Sequence, residues 1–403
     1  MLQKTTRIIQ DIVISSRQHA LMRAFASLPR LIIYTLIFLP MSVNADQLSE
    51  PQEQGHTFIY TANQIGNNIS AFSLNNEGKL LPVSGSPFHA EDAPVSIAHT
   101  PDGRFLYTAN QGSGSISAYT IATDTGVLTP LPDSPYQLDY RHPDAITIAP
   151  NGLYAYVTGE DANSVSTYSI DTTTGQLGIL NQPHTATGHH PIMVAVTPNN
   201  HFAYIANFDD NNISQYKVDN DDGSFISAGI STLTDEHPIH ITISSDSRYA
   251  YVANYGSTTI SAFSIDPDSG VLSELPTSPY FAGAQPYSVA IDPNQNFLYS
   301  ANWGSHDVSA YSIDNQTGTL SALPQFRFKA GWYPYDIVVS PDDKHVYVAN
   351  NGESTISAYD LQPRGGLKNI SKPITSALGP YAMTIINPRK ASLAFSQLTY
   401  QQD

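Results

Sequence analysis

The chain has 403 residues, 18 Lys+Arg against 35 Asp+Glu, a formal net charge of −17 and no cysteine. That balance excludes a nucleic-acid binder, because phosphate backbones are held by clustered cations. It also excludes disulfides, so the fold must be held by its core alone.

In chain order, the first segment is a leader. Residues 1–45 carry Lys4, Arg7, Arg17, Arg23 and Arg30 against Asp11 alone, and removing them leaves 13 basic and 34 acidic residues, a balance of −21. Arg23 and Arg30 precede an apolar run from Leu31 to Val43, followed by the small-x-small sequence Val43, Asn44, Ala45. This pattern predicts a secretory signal peptide over 1–45 and a periplasmic or secreted mature protein. About a dozen apolar residues interrupted by Pro40 are too few to span a bilayer, where roughly twenty are needed, so no membrane span is expected after cleavage; an uncleaved anchor is the alternative. Met22 offers a second start site that gives a leader of ordinary length. A polar linker, 46–56, follows.

From residue 57 the chain repeats. A short apolar run, strand B, recurs as FIYTAN, FLYTAN, YAYVTG, FAYIAN, YAYVAN, FLYSAN and HVYVAN, ending at Asn63, Asn110, Gly159, Asn207, Asn254, Asn302 and Asn350 at spacings of 47, 49, 48, 47, 48 and 48. Strand C follows, centred on Phe72, Tyr119, Tyr168, Tyr216, Phe263, Tyr311 and Tyr359. Strand D comes after a glycine turn, and strand A starts at Pro94, Pro143, Pro191, Pro238, Pro286, Pro334 and Pro380. Runs of β-branched and aromatic residues between turn residues read as strands. The chain opens on strand B and closes on strand A, so one four-stranded unit must be completed by its two ends. The prediction is an all-β, seven-bladed β-propeller of four antiparallel strands per blade over 57–388, with a polar tail over 389–403.

Antiparallel order places each strand-A proline and each B-to-C loop on one face, around the mouth of the channel. A residue present in nearly every unit serves the blade; a chemical site needs one copy. The Asn closing strand B recurs six times and reads as a turn cap. The Asp-x-x-x-Gly stretches lack the spaced carboxylates of a calcium loop and read as C-to-D hairpins. Departures from the repeat are more informative. In the third unit the Asn becomes Gly159, followed by Glu160 and Asp161, and His142, His190 and His237 precede three successive prolines. Three such histidines are donors of a kind zinc takes, but loop histidines are the plainer reading, and neither metal nor cofactor is expected. Glu160 with His142 and Arg141 forms the candidate catalytic set, an acid or base beside cations for an oxyanion. Asp144, His190, His237, His240, Asn207, Asn254, Trp303, Tyr335 and Asp336 are candidate substrate-binding residues, with Phe208, Trp332 and Tyr333 as further stacking surfaces.

The units, for example PDGRFLYTANQGSGSISAYTIATDTGVLTPLPDSPY from Pro101 to Tyr136, resemble those of the lactonase family of seven-bladed propellers. That family includes propeller-type 6-phosphogluconolactonase and the fungal carboxymuconate-lactonizing enzymes. The resemblance covers 57–388 and implies the propeller fold and lactone chemistry. It places the family's acid at Glu160, after Tyr156 and Val157. The basic pair that the family carries after the strand-A proline falls on Asp144 and Ala145, and its Asn-Arg falls on Asn207-Phe208 or Asn254-Tyr255, so those cations are missing. The expected ligand is therefore an unphosphorylated lactone or carbohydrate-like molecule bound by a monomer. The alternative is a non-catalytic exported binder of a peptide, glycan or partner protein, since YVTG at Tyr156 to Gly159 also resembles secreted Tyr-Val-Thr-Asn repeats.

Overall fold

The computed structural model describes residues 56–388, apart from the side chains of 181–183. The predicted leader over 1–45, nearly all of the linker and the tail over 389–403 lie outside the described residues. Among the described residues no helix is long and apolar enough to cross a membrane.

Seven antiparallel sheets form in the strand order A-B-C-D. Blade 1 joins the two ends of the propeller: its strand A is Pro380–Ile386, and its strand B, Phe58–Asn63, pairs with it from Phe58↔Ile386 to Ala62↔Ala382. The next strands A are Pro94–His99, Pro143–Ile148, Pro191–Val196, Pro238–Ile243, Pro286–Ile291 and Pro334–Val339, opening blades 2 to 7. Each strand A packs against the strands A of both neighbouring blades, so these strands line the centre. The fold is the seven-bladed propeller read from the repeats.

Strand B is apolar on both faces because a blade lies on either side of it, and nearly all of its residues are buried in every blade. Its tyrosine bolts the ring together. The hydroxyls of Tyr60, Tyr107, Tyr156, Tyr204, Tyr251, Tyr299 and Tyr347 each donate to a glycine carbonyl in the C-to-D hairpin of the next blade, at 2.7 to 3.0 Å. The last reaches Gly78 and closes the circle. These hairpins need glycine. At Gly270, φ is +76°, and an added Cβ would lie 2.2 Å from the Phe202 ring. The strand-B asparagines do fix the B-to-C turn, but through side chains: Asn254 Nδ2 donates to Thr259 Oγ1 at 3.1 Å and to Ser261 Oγ at 2.9 Å. The other five strand-B asparagines repeat the arrangement.

Candidate functional site

Three positions per blade build the mouth. The residue before the strand-A proline is left-handed in all seven blades: Ala93, His142, His190, His237, Gln285 and Tyr333 have φ between 52° and 54°, and Gly379 has 72°. Its carbonyl accepts the backbone N–H of the residue that follows strand B, at 2.8 to 3.1 Å, so these two positions stand side by side on the rim. The residue after the proline falls in a β-bulge in every blade, where the A–B register shifts. A bulge frees a side chain from the alternation of the strand and re-aims it. Here it produces an inner ring of Tyr381, Val95, Asp144, Ile192, Ile239, Tyr287 and Tyr335.

The mouth has an acidic sector on blades 2 to 4. Asp144 is the one acid of the inner ring; its side chain is 8% exposed. Gln111 Nε2, from the neighbouring blade, donates to Asp144 Oδ1 at 2.7 Å, while Oδ2 is buried without a hydrogen-bond partner. Burial, with the Glu160 charge second, pushes its pKa up to about 8, so the carboxyl is largely protonated at neutral pH. His190 reaches back from blade 4: its Nε2 lies 3.5 Å from Glu160 Oε1 and 3.8 Å from Asp144 Oδ2, and its Nδ1 lies 3.7 Å from Asp209 Oδ2. Among the described residues, His190 is the only basic side chain that pairs with Asp144 and Glu160. The donor atoms of Asp144, Glu160 and His190 lie within 4.8 Å of one another. They could share a borderline cation once Asp144 ionises, but its raised pKa favours a proton.

An aromatic arc continues from this sector around the mouth. Phe208 stacks on His237 with centroids 4.3 Å apart and planes 9° apart, and Phe208 also faces His190 at 5.0 Å. Tyr255 follows, then Trp303, which stacks on Tyr333 at 4.6 Å. Inside this arc, Tyr287, Tyr335 and Tyr381 pack together, with Tyr335 4.4 Å from Tyr287 and 4.5 Å from Tyr381, and the hydroxyls of Tyr287 and Tyr381 in contact. Burial raises the pKa of Tyr287 and Tyr381, and Asp144 contributes to both shifts.

The remaining sequence candidates occupy other places. His142 Nδ1 pairs with Asp161 Oδ2 at 2.9 Å, both half exposed, and Arg141 is exposed, so Glu160 meets His190 where His142 was expected. Asn207 and Asn254 are 0% exposed and hold strand C of their own blades, which takes them out of reach of a ligand. Asp336 stitches blades: its carboxylate accepts from the Ser288 hydroxyl and from the backbone N–H of Met383 and Ile337, and burial raises its pKa to about 6. His240 is half-buried, its buried Nδ1 has no partner, and burial lowers its pKa to about 4. Gln111, Tyr255, Tyr287 and Tyr381 were not singled out from the sequence. Aligning the units on the residue after strand B and the residue after the proline would have found them.

The family described as lactonase, seven-bladed β-propeller, matches residues 51–138, 133–233 and 226–331. No curated protein matches the chain. Among solved structures, a candidate 6-phosphogluconolactonase of Bacteroides fragilis superposes with a TM-score of 0.73 at 20% identity, covering 83% of this chain and 99% of the other. The periplasmic gluconolactonase of Pseudomonas aeruginosa superposes with a TM-score of 0.69 at 18% identity, covering 82% and 99%. At such identities the likeness is one of fold.

Proposed function

Because this chain belongs to the lactonase family of seven-bladed β-propellers, we propose that it hydrolyses a lactone at the acidic sector, with Asp144, Glu160 and His190 as the reacting groups. The observation that carries this reading is the buried Asp144 carboxyl, short of a partner at Oδ2 and held protonated beside an ionisable Glu and His. Carboxyls pushed to different protonation states in one site can divide acid and base roles between them.

Glu160 takes a proton from water as the water oxygen attacks the lactone carbonyl carbon. The Asp144 O–H donates to the carbonyl oxygen as it becomes an oxyanion, then protonates the ring oxygen as the C–O bond breaks. The product is a hydroxy acid. His190 Nε2, within 3.8 Å of both carboxyls, returns the proton from Glu160 to Asp144 as these contacts close to hydrogen bonds around a bound ligand. A phosphorylated lactone calls for bidentate arginine, and among the described residues no Arg or Lys pairs with Asp144 or Glu160, so the proposed substrate is unphosphorylated. The signal-like leader supports export to the periplasm or the cell exterior as part of this reading, with the protein acting as a monomer.

The test is a lactone panel followed by acid release at constant pH. Asp144→Asn, Glu160→Gln and His190→Ala should each lower kcat/KM by about 100-fold or more, while His142→Ala should stay within a few-fold. Equal activity in the first three variants would remove the site. Hydrolysis of no lactone would favour the second reading, an exported glycan or protein binder, for which the aromatic arc is the supporting observation.

A further inference from the structure

A second concavity lies on the rim, outside the acidic sector. It has a volume of about 400 Å³ and is lined by Ser305, His306, Asp307, Arg327, Lys329 and Trp332, among others. That volume falls in the range of small-molecule sites, about 300–1,000 Å³. One wall is the Trp332 indole, 61% exposed and stacked over His306 with planes 22° apart. His306 in turn meets Tyr333, which stacks on Trp303, so the aromatic arc of the mouth runs without a break into this pocket.

The polar groups here are donors. Asp307 is already taken: it accepts from Arg327 Nη1 at 2.8 Å, from Asn302 Nδ2 at 2.8 Å and from Ser305 Oγ at 2.8 Å. Arg327 keeps further N–H groups after donating to Asp307 and to the Ala282 carbonyl. His306 Nδ1 accepts from the Tyr333 backbone N–H at 3.1 Å, which leaves the proton of the neutral ring on Nε2. Lys329 is exposed and makes no ion pair among the described residues. Lys329, Arg327 and the exposed Trp332 line the same concavity, and each group fits one feature of the same ligand. The indole face takes the C–H face of a pyranose ring, and the cations take a carboxylate.

The geometry points to a binding site for an acidic sugar, a uronate residue of an oligosaccharide, with its ring on Trp332 and its carboxylate at Lys329 and Arg327. This site stands independently of the reaction proposed at Asp144. Trp303 and Trp332 are the two tryptophans of the chain, so Trp303→Phe makes intrinsic fluorescence a reporter of Trp332 alone. Titrating that variant with a pentameric oligogalacturonate at low salt should give a saturable change that weakens as salt rises. Lys329→Glu in the same background should weaken binding at least tenfold, a neutral pentasaccharide should bind at least tenfold more weakly, and Trp332→Ala should abolish binding measured by calorimetry. Lys329 and Trp332 are exposed, so their variants should keep the parent thermal melt, and Asp144→Asn should bind as the parent does. The assignment is overturned by the absence of a saturable change, by equal binding of the neutral sugar, by indifference to Lys329→Glu, or by an oligoglutamate peptide that binds as tightly.

Discussion

At the residue scale, the role proposed for Asp144 carries a cost in stability. Its pKa is raised to about 8 in the folded protein against about 3.9 in an unfolded chain. The folded state therefore binds the proton more tightly, and this group makes the protein less stable as pH rises from about 4 to about 8, with the cost constant above that. Asp144→Asn removes the titration. Its unfolding free energy should match the parent near pH 4 and exceed it increasingly up to pH 8, by on the order of 5 kcal/mol, even as the proposed activity is lost; parallel melts across that range check the sign. Glu160 was legible in the sequence because it breaks a sevenfold pattern. The depth of Asp144 was not, since a bulge that repeats in every blade leaves no mark on any one of them. Nor was the choice of His190 over His142, which depends on a ring leaning across the gap between two blades.

At the element scale, strand order and blade number were readable because one chain states the same pattern seven times. The bonds between blades were not readable, because each tyrosine of strand B finds its acceptor about 66 to 68 residues away, or 269 for the pair that closes the ring. The hairpin glycines make this interlock testable. Gly270→Ala meets both a positive φ and the Phe202 ring, and should cost about 2–4 kcal/mol. At Gly229, φ is +70° with nothing within 4 Å of an added Cβ, so Gly229→Ala should cost about 1–2 kcal/mol for the backbone conformation alone. Equal losses in urea titrations of the two variants would mean that the ring contact contributes nothing.

At the scale of the whole molecule, the propeller is shut by pairing Phe58–Asn63 with Pro380–Ile386. Deleting 380–403 should leave strand B of blade 1 with a bare edge and one inner strand missing from the channel. Such an edge recruits other chains, so the truncated protein should elute as aggregate and lose its cooperative melt, whereas deletion of 389–403 alone should leave both unchanged. Size-exclusion chromatography with circular dichroism distinguishes the two. The same closure fixes an order of events in biogenesis. Blade 1 waits for Pro380–Ile386, so a growing chain can build six blades and still lack a finished ring, and native stability arrives only once that strand has paired. Joining ends this far apart adds a loop-closure entropy that grows only as the logarithm of the separation. The delay is thus set mainly by the time needed to deliver Pro380–Ile386, and until that strand is free to pair, the other six blades stand in an open ring.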